Sequence, residues 1–337
     1  MRVLFFLTWL GMMAWAGAPE DWAGIVALDA GPAGQPKSEL EARGISLAHS
    51  TRQENALRAF LGAYPGDEHI FEARLRLARV LGLHAELLGE PPPVEALRLI
   101  IEAEKSATTP EQQGEVEFAR LAQRMRQTRG KRPLPEERDA LLKAAQAFQR
   151  GHPTDRRVPS LLAEVATLFD GDAKVKERLL LDAKRLTKDP DLLAQIADDT
   201  KRLGWLGRKL PLRFTGIDGS HVDIKDWRGK PVFVVFFDTT SAPARSVLTS
   251  LNRLAAEKGA GLLSVSLDAD AEAVGRFVAT LRPQPTVACD GRGWDSPLVQ
   301  ALGINAVPTV WLLDRDGMVR TLDPLDDPEG LLRQLMR

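Results

Sequence analysis

The sequence is poorest in the residues that carry most redox, metal and proton-transfer chemistry. Its 337 residues include one cysteine, Cys289, five histidines and one tyrosine. A lone cysteine closes no internal disulfide. In an oxidising compartment it is a free thiol, a mixed disulfide or an intermolecular bridge. His49, His69, His84, His152 and His221 lack metal-site spacing, and neither a metal nor a cofactor is expected. The formal net charge is only -1, which leaves no electrostatic case for nucleic acid or an anionic membrane surface. Gly291-Arg292-Gly293 lacks the third glycine of a dinucleotide loop. Asp314-Arg315-Asp316-Gly317 opens like a calcium loop, but the remaining ligand positions are missing, so a hairpin turn is expected. There is no G-x-S-x-G elbow of a serine hydrolase.

Long apolar runs are missing too, except at the start. Arg2 precedes an apolar run over residues 3–14, and Ala14-Trp15-Ala16 supplies a small-x-small cleavage site, so residues 1–16 read as a signal peptide. The run is shorter than the roughly 20 residues of a membrane span, and no cysteine follows it to carry a lipid. The expected mature protein is exported, periplasmic or otherwise extracytoplasmic, with no stable membrane insertion after cleavage. A composition 44% hydrophobic and 27% charged suits a soluble globular chain, and the length predicts two domains.

Residues 17–37, rich in Gly, Ala and Pro, read as a linker. From 38 to 207 the pattern is helical. AFLGAYPGDEHIFEARLRLARVL (59–81) recurs as AFQRGHPTDRRVPSLLAEVATLF (147–169), sharing Ala, Phe, Pro and Asp around a hairpin. Helical stretches at 93–106 and 110–127 follow the first copy, and 173–187 and 189–205 follow the second. This predicts about eight helices in two copies of a four-helix unit, which resembles tetratricopeptide-type hairpins without their strict signature. Stacked hairpins suit peptide or protein binding. Packing on the second domain, or self-association into a homo-oligomer, is the alternative use.

The second half is organised around residues 231–245, PVFVVFFDTTSAPAR. The apolar run 231–237 suits a strand buried on both faces of a parallel sheet. Ser241 is a natural N-cap for a helix carrying Val247, Leu248, Leu251, Leu254 and Ala255, with Pro243 in its first turn and Gly259 closing it. Asp238 is either a solvated loop residue or a buried partner of the helix start. Strands are also expected at 209–214, 261–267 and 285–289, with a hairpin over 309–314 and 318–322. Helices are expected after Asp268 or Asp270, from Ser296-Pro297, and at about 328–336.

These residues resemble the thioredoxin superfamily, in particular TlpA-like thiol–disulfide oxidoreductases and their AhpC/TSA relatives. The Phe236-Phe237-Asp238-Thr239-Thr240-Ser241-Ala242-Pro243-Ala244-Arg245 segment is similar to the family's FWATWC-x-x-CR. Gly303-Ile304-Asn305-Ala306-Val307-Pro308-Thr309 resembles its YGV-x-x-VPT loop, whose proline is cis. The segment 218–230 (DGSHVDIKDWRGK) resembles its entry region. The resemblance covers about 208–337 and implies a thioredoxin-like α/β/α domain after an N-terminal α-helical repeat domain, an α + α/β architecture overall.

The chain departs from the family where the chemistry sits. The two cysteine positions are Ser241 and Ala244. Disulfide exchange needs a thiolate and a resolving sulfur, so dithiol oxidoreductase activity at this site is excluded. The expected function is non-catalytic binding of exported proteins or peptides in a groove formed by Asp238, Thr240, Ser241, Val307, Pro308 and Thr309. An oxidoreductase or peroxidase-like activity based on Cys289, expected at the same sheet edge, is one alternative. A structural or oligomerisation role is the other.

Overall fold

A computed structural model describes residues 17–34, 36, 39–129 and 132–337; the expected signal peptide at 1–16 lies outside them. The helical half comprises α1 (Ala18–Ala27), α2 (Glu39–Ala63), α3 (Ile70–Leu88), α4 (Val94–Ser106), α5 (Pro110–Thr128), α6 (Pro135–Gly151), α7 (Val158–Ala166), α8 (Ala173–Leu186) and α9 (Pro190–Leu203). The sheet half comprises β1 (Arg213–Thr215), β2 (His221–Asp223), β3 (Val232–Phe237), α10 (Ala242–Lys258), β4 (Gly261–Ser266) and α11 (Ala271–Val278), then β5 (Thr286–Ala288), α12 (Pro297–Leu302), β6 (Thr309–Leu313), β7 (Val319–Thr321) and α13 (Pro328–Met336).

The expected linker at 17–37 contains α1. Trp22 packs its ring on His69 at 4.5 Å and Phe60 at 5.2 Å, Ile25 is buried, and Tyr64 donates its hydroxyl proton to Asp21 at 2.8 Å. Burial of a large ring against distant partners orders a stretch whose composition alone reads as loose.

The internal repeat is visible in its hydrogen bonds. In the first copy Asp67 accepts from the His69 amide at 2.9 Å, and in the second Asp155 accepts from the Arg157 amide at 2.8 Å. The preceding helices end alike, with the Tyr64 amide on Phe60 O and the His152 amide on Phe148 O. The shared Asp is therefore an Asx turn that starts the next helix.

The described chain forms two compact units. One runs through Arg132 and adds Gln146–His152, and the other combines Pro133–Ala145 with Pro153–Arg337. The second unit thus takes in residues on both sides of the 207/208 boundary drawn from the sequence, including α7, α8 and α9. Its five-stranded sheet has the order β5-β4-β3-β6-β7, with β3 parallel to β4, β4 parallel to β5, and β6 antiparallel to both β3 and β7. All of β3 is buried. Val232, Val234 and Phe236 enter one core with Trp311, Leu313 and Leu302, while Phe233, Val235 and Phe237 enter the other with Leu248, Leu251 and Leu332. Burial on both faces is what the continuous apolar run requires, since side chains alternate along a strand.

One local expectation shifts and one open alternative resolves. The first strand of this half is Arg213–Thr215 rather than 209–214, paired with β2 as a separate ribbon. The cap of α11 is Asp270, which accepts from the Glu272 and Ala273 amides. Asp268 is buried instead, for a reason that belongs to the site.

Candidate functional site

Strand β3 delivers the chain to its carboxyl edge, where Phe237 O accepts from the Leu267 amide at 2.8 Å. The next turn is closed by carboxylates. Asp238 Oδ1 accepts from Thr240 Oγ1 at 2.6 Å and from the Ser241 amide at 3.2 Å, so it is a half-buried partner of the helix start. Asp268, only 9% exposed, accepts the Thr239 amide on both oxygens, at 3.1 and 3.0 Å, and also takes the Thr239 and Ser266 hydroxyl protons. Arg245 donates to Thr239 O, fixing the other side of that peptide. The Thr239 peptide and the Asp238 Oδ1 atom are thus both engaged within the turn.

Ser241 caps α10, accepting from the Ala244 amide at 3.3 Å. Its oxygen faces the helix start, and among the described residues no imidazole or carboxylate hydrogen-bonds to it; the one histidine of residues 153–337, His221, sits on the separate β1–β2 ribbon opposite Thr215. Ala244, at the position that resembles the family's second cysteine, is fully buried at 0% exposure. Its methyl group belongs to the core that holds Leu248 and Phe237.

On the facing side, the Val307-Pro308 peptide is cis. Ladder pairing of β6 with β3 ends at Thr309 opposite Phe236. Thr309 is buried and donates its hydroxyl proton to Ala306 O at 2.7 Å, so it supports the loop from below. Val307 and Pro308 are half-buried, and among the described residues the Val307 N–H and C=O make no hydrogen bond.

Cys289 follows β5, whose parallel pairing with β4 brings it to the same edge as Asp268. Its half-buried thiol donates to Asp268 O at 3.3 Å. Asp268 is a site residue that the sequence offered only as one of two alternative helix caps. Its signal was the preceding Ser266, whose hydroxyl it holds. Among the described residues no group of three or more His, Cys, Asp or Glu is placed to hold a metal ion, and none of their helices is long and apolar enough to cross a membrane.

Comparison with known proteins places this site in context. The Redoxin family model matches residues 206–334. Thiol-disulfide oxidoreductase ResA of Bacillus thuringiensis subsp. konkukian (strain 97-27) is 30% identical over 118 residues, 34% of this chain and 66% of that protein. ResA of Bacillus anthracis is similar to the same extent, 30% over 34% of this chain and 66% of that protein. The chain thus spans 66% of the length of these curated relatives. Among solved structures, a thiol-disulfide oxidoreductase from Bacteroides fragilis NCTC 9343 is 20% identical, with a TM-score of 0.33 over 38% of this chain and 100% of that chain. A secreted Mycobacterium tuberculosis disulfide oxidoreductase is 20% identical, with a TM-score of 0.32 over 37% of this chain and 96% of that one.

Proposed function

We propose that residues 206–334, which match the Redoxin family model, are an exported, non-catalytic binding module for extended polypeptide. The observation that carries the reading is the pairing of an unused Val307 main chain with a neighbouring turn that holds no nucleophile. The N–H and C=O of this half-buried residue are available to pair with a partner strand. Strand addition draws its affinity from main-chain bonds and so tolerates varied sequences. Export rests on the N-terminal apolar segment and its small-x-small site.

The oxidoreductase alternative has only Cys289 to work with. Its half-buried thiol donates to the Asp268 main-chain carbonyl at 3.3 Å, and no second thiol is present to resolve a mixed disulfide. That alternative predicts insulin reduction or peroxide turnover lost in Cys289→Ser.

The test of the binding reading is calorimetric titration of the full chain with a reduced, carboxymethylated, permanently unfolded polypeptide. Wild type should bind saturably, and Pro308→Arg, which places a long charged side chain in the groove, should weaken binding by about tenfold or more. Equal affinity for the two proteins would refute groove binding.

A further inference from the structure

Helices α8 and α9 carry charged side chains into the interior of the second compact unit. Lys176 is 0% exposed, Asp199 1% and Arg202 3%. Lys176 Nζ pairs with Asp199 Oδ1 at 2.9 Å and with the half-buried Asp170. Arg202 Nη2 reaches Asp170 Oδ1 at 3.2 Å and contacts Asp199. Two cations and two carboxylates balance, yet an apolar replacement of such a cluster is often as stable or more so. Stability alone therefore does not explain the cluster.

The other arm of the Arg202 guanidinium supplies a reason. Nη1 donates to Asn305 Oδ1 and approaches Gly303 O at 3.4 Å, both on the loop that ends in Val307 and Pro308. The same loop meets the end of α9 at a second point. A Cβ on Gly303, whose φ is +71°, would lie 2.6 Å from Asp198 O and 3.2 Å from the Arg202 amide nitrogen. Lys201 Nζ adds a bond to Gln300 O at 2.7 Å, just before that loop. Only a planar fork with donors on several edges can hold two carboxylates on one side and an amide oxygen and a carbonyl on the other.

We propose that Arg202 is a positioning residue for the Val307–Pro308 binding edge, and that the ion cluster of α8 and α9 sets the geometry of that edge. The proposal rests on the groove reading above. It makes residues 170–203 part of the binding unit rather than a neighbouring repeat.

The experiment measures amide hydrogen exchange and polypeptide affinity in the full chain for wild type, Asn305→Ala and Arg202→Lys. Asn305 is an exposed loop residue, so Asn305→Ala keeps the test valid if the core substitution fails to fold. Lysine keeps the positive charge beside Asp199 but cannot span to the loop. Exchange at the Gly303 and Ile304 amides, which bond to Gln300 O and Val299 O, should rise about tenfold in both variants, the scale of one charge-assisted hydrogen bond. Amides of β3 and β4 should keep wild-type rates, and affinity for the carboxymethylated polypeptide should fall by a similar factor. Wild-type exchange at Gly303 and Ile304 in Asn305→Ala would overturn the positioning role. Increased exchange there with unchanged polypeptide affinity would also overturn it. A wild-type protein that binds no polypeptide, while the exchange changes still appear, would instead overturn the groove reading on which the proposal rests.

Discussion

Removing the Asp268 carboxylate tests whether the turn after β3 is held from beneath. This side chain receives the Thr239 amide, the Thr239 hydroxyl and the Ser266 hydroxyl while only 9% exposed. Bonds to a charged acceptor are worth about 1.5–3 kcal/mol each in mutational series, and an orphaned buried donor costs about 1–3 kcal/mol. The two hydroxyls can rotate to other acceptors, but the Thr239 N–H cannot. Asp268→Ala should therefore cost about 2–4 kcal/mol. Asp268→Asn keeps an oxygen for the Thr239 amide and loses the charge, so about 1–2 kcal/mol is expected. Urea unfolding read by tryptophan fluorescence gives both values as midpoint shifts at constant slope, and exchange at the Thr239 amide should accelerate in the order wild type, Asn, Ala. A cost for Asp268→Ala below about 0.5 kcal/mol, the range of ordinary surface changes, with unchanged Thr239 exchange, would refute the anchoring role.

Other outcomes follow from the same geometry. Ser241→Ala removes the N-cap of α10 and should cost about 1 kcal/mol in unfolding free energy, while Ser241→Gly costs less; an equal loss in both would argue against capping. Gly303→Ala adds a methyl group against Asp198 O at a positive φ, and a melting scan should show it destabilised by about 2 kcal/mol or more. At Asp314, burial opposes ionisation, but the Met318 and Asp316 amides and the Arg320 guanidinium outweigh it and hold the carboxyl below its usual range. That contribution is complete above the unfolded value of about 3.9 and is lost as pH falls through the lower folded value. Asp314→Asn should therefore flatten stability against pH in that acid range, and an unaltered profile would contradict the assignment.

Much of this was legible in the residues because the signals are local. The run 232–237 is apolar at consecutive positions, so burial on both faces followed directly. Ser241 and Gly259 bracket α10 by cap chemistry, with Gly259 at φ 70°. Asp67 and Asp155 recur at the same place in the two copies, and each accepts the amide two residues on. What escaped depends on partners far along the chain. Asp268 and Asp270 are the same residue type two positions apart, and only the approach of Thr239 separates a buried anchor from an exposed cap. Trp22 finds Phe60 and His69 across a segment with no periodic pattern. The buried pairing of the α8 and α9 charges depends on a loop near residue 305, about which helix periodicity carries no information.

The proposal is that the edge around Ser241 and Ala244, which holds no dithiol, carries no electron exchange. It is tested most directly by disulfide turnover of the purified full chain after alkylation of Cys289, with insulin as substrate and dithiothreitol as reductant, against a protein-free control. The account predicts a rate equal to that control. A rate above the control that persists with Cys289 blocked would contradict it.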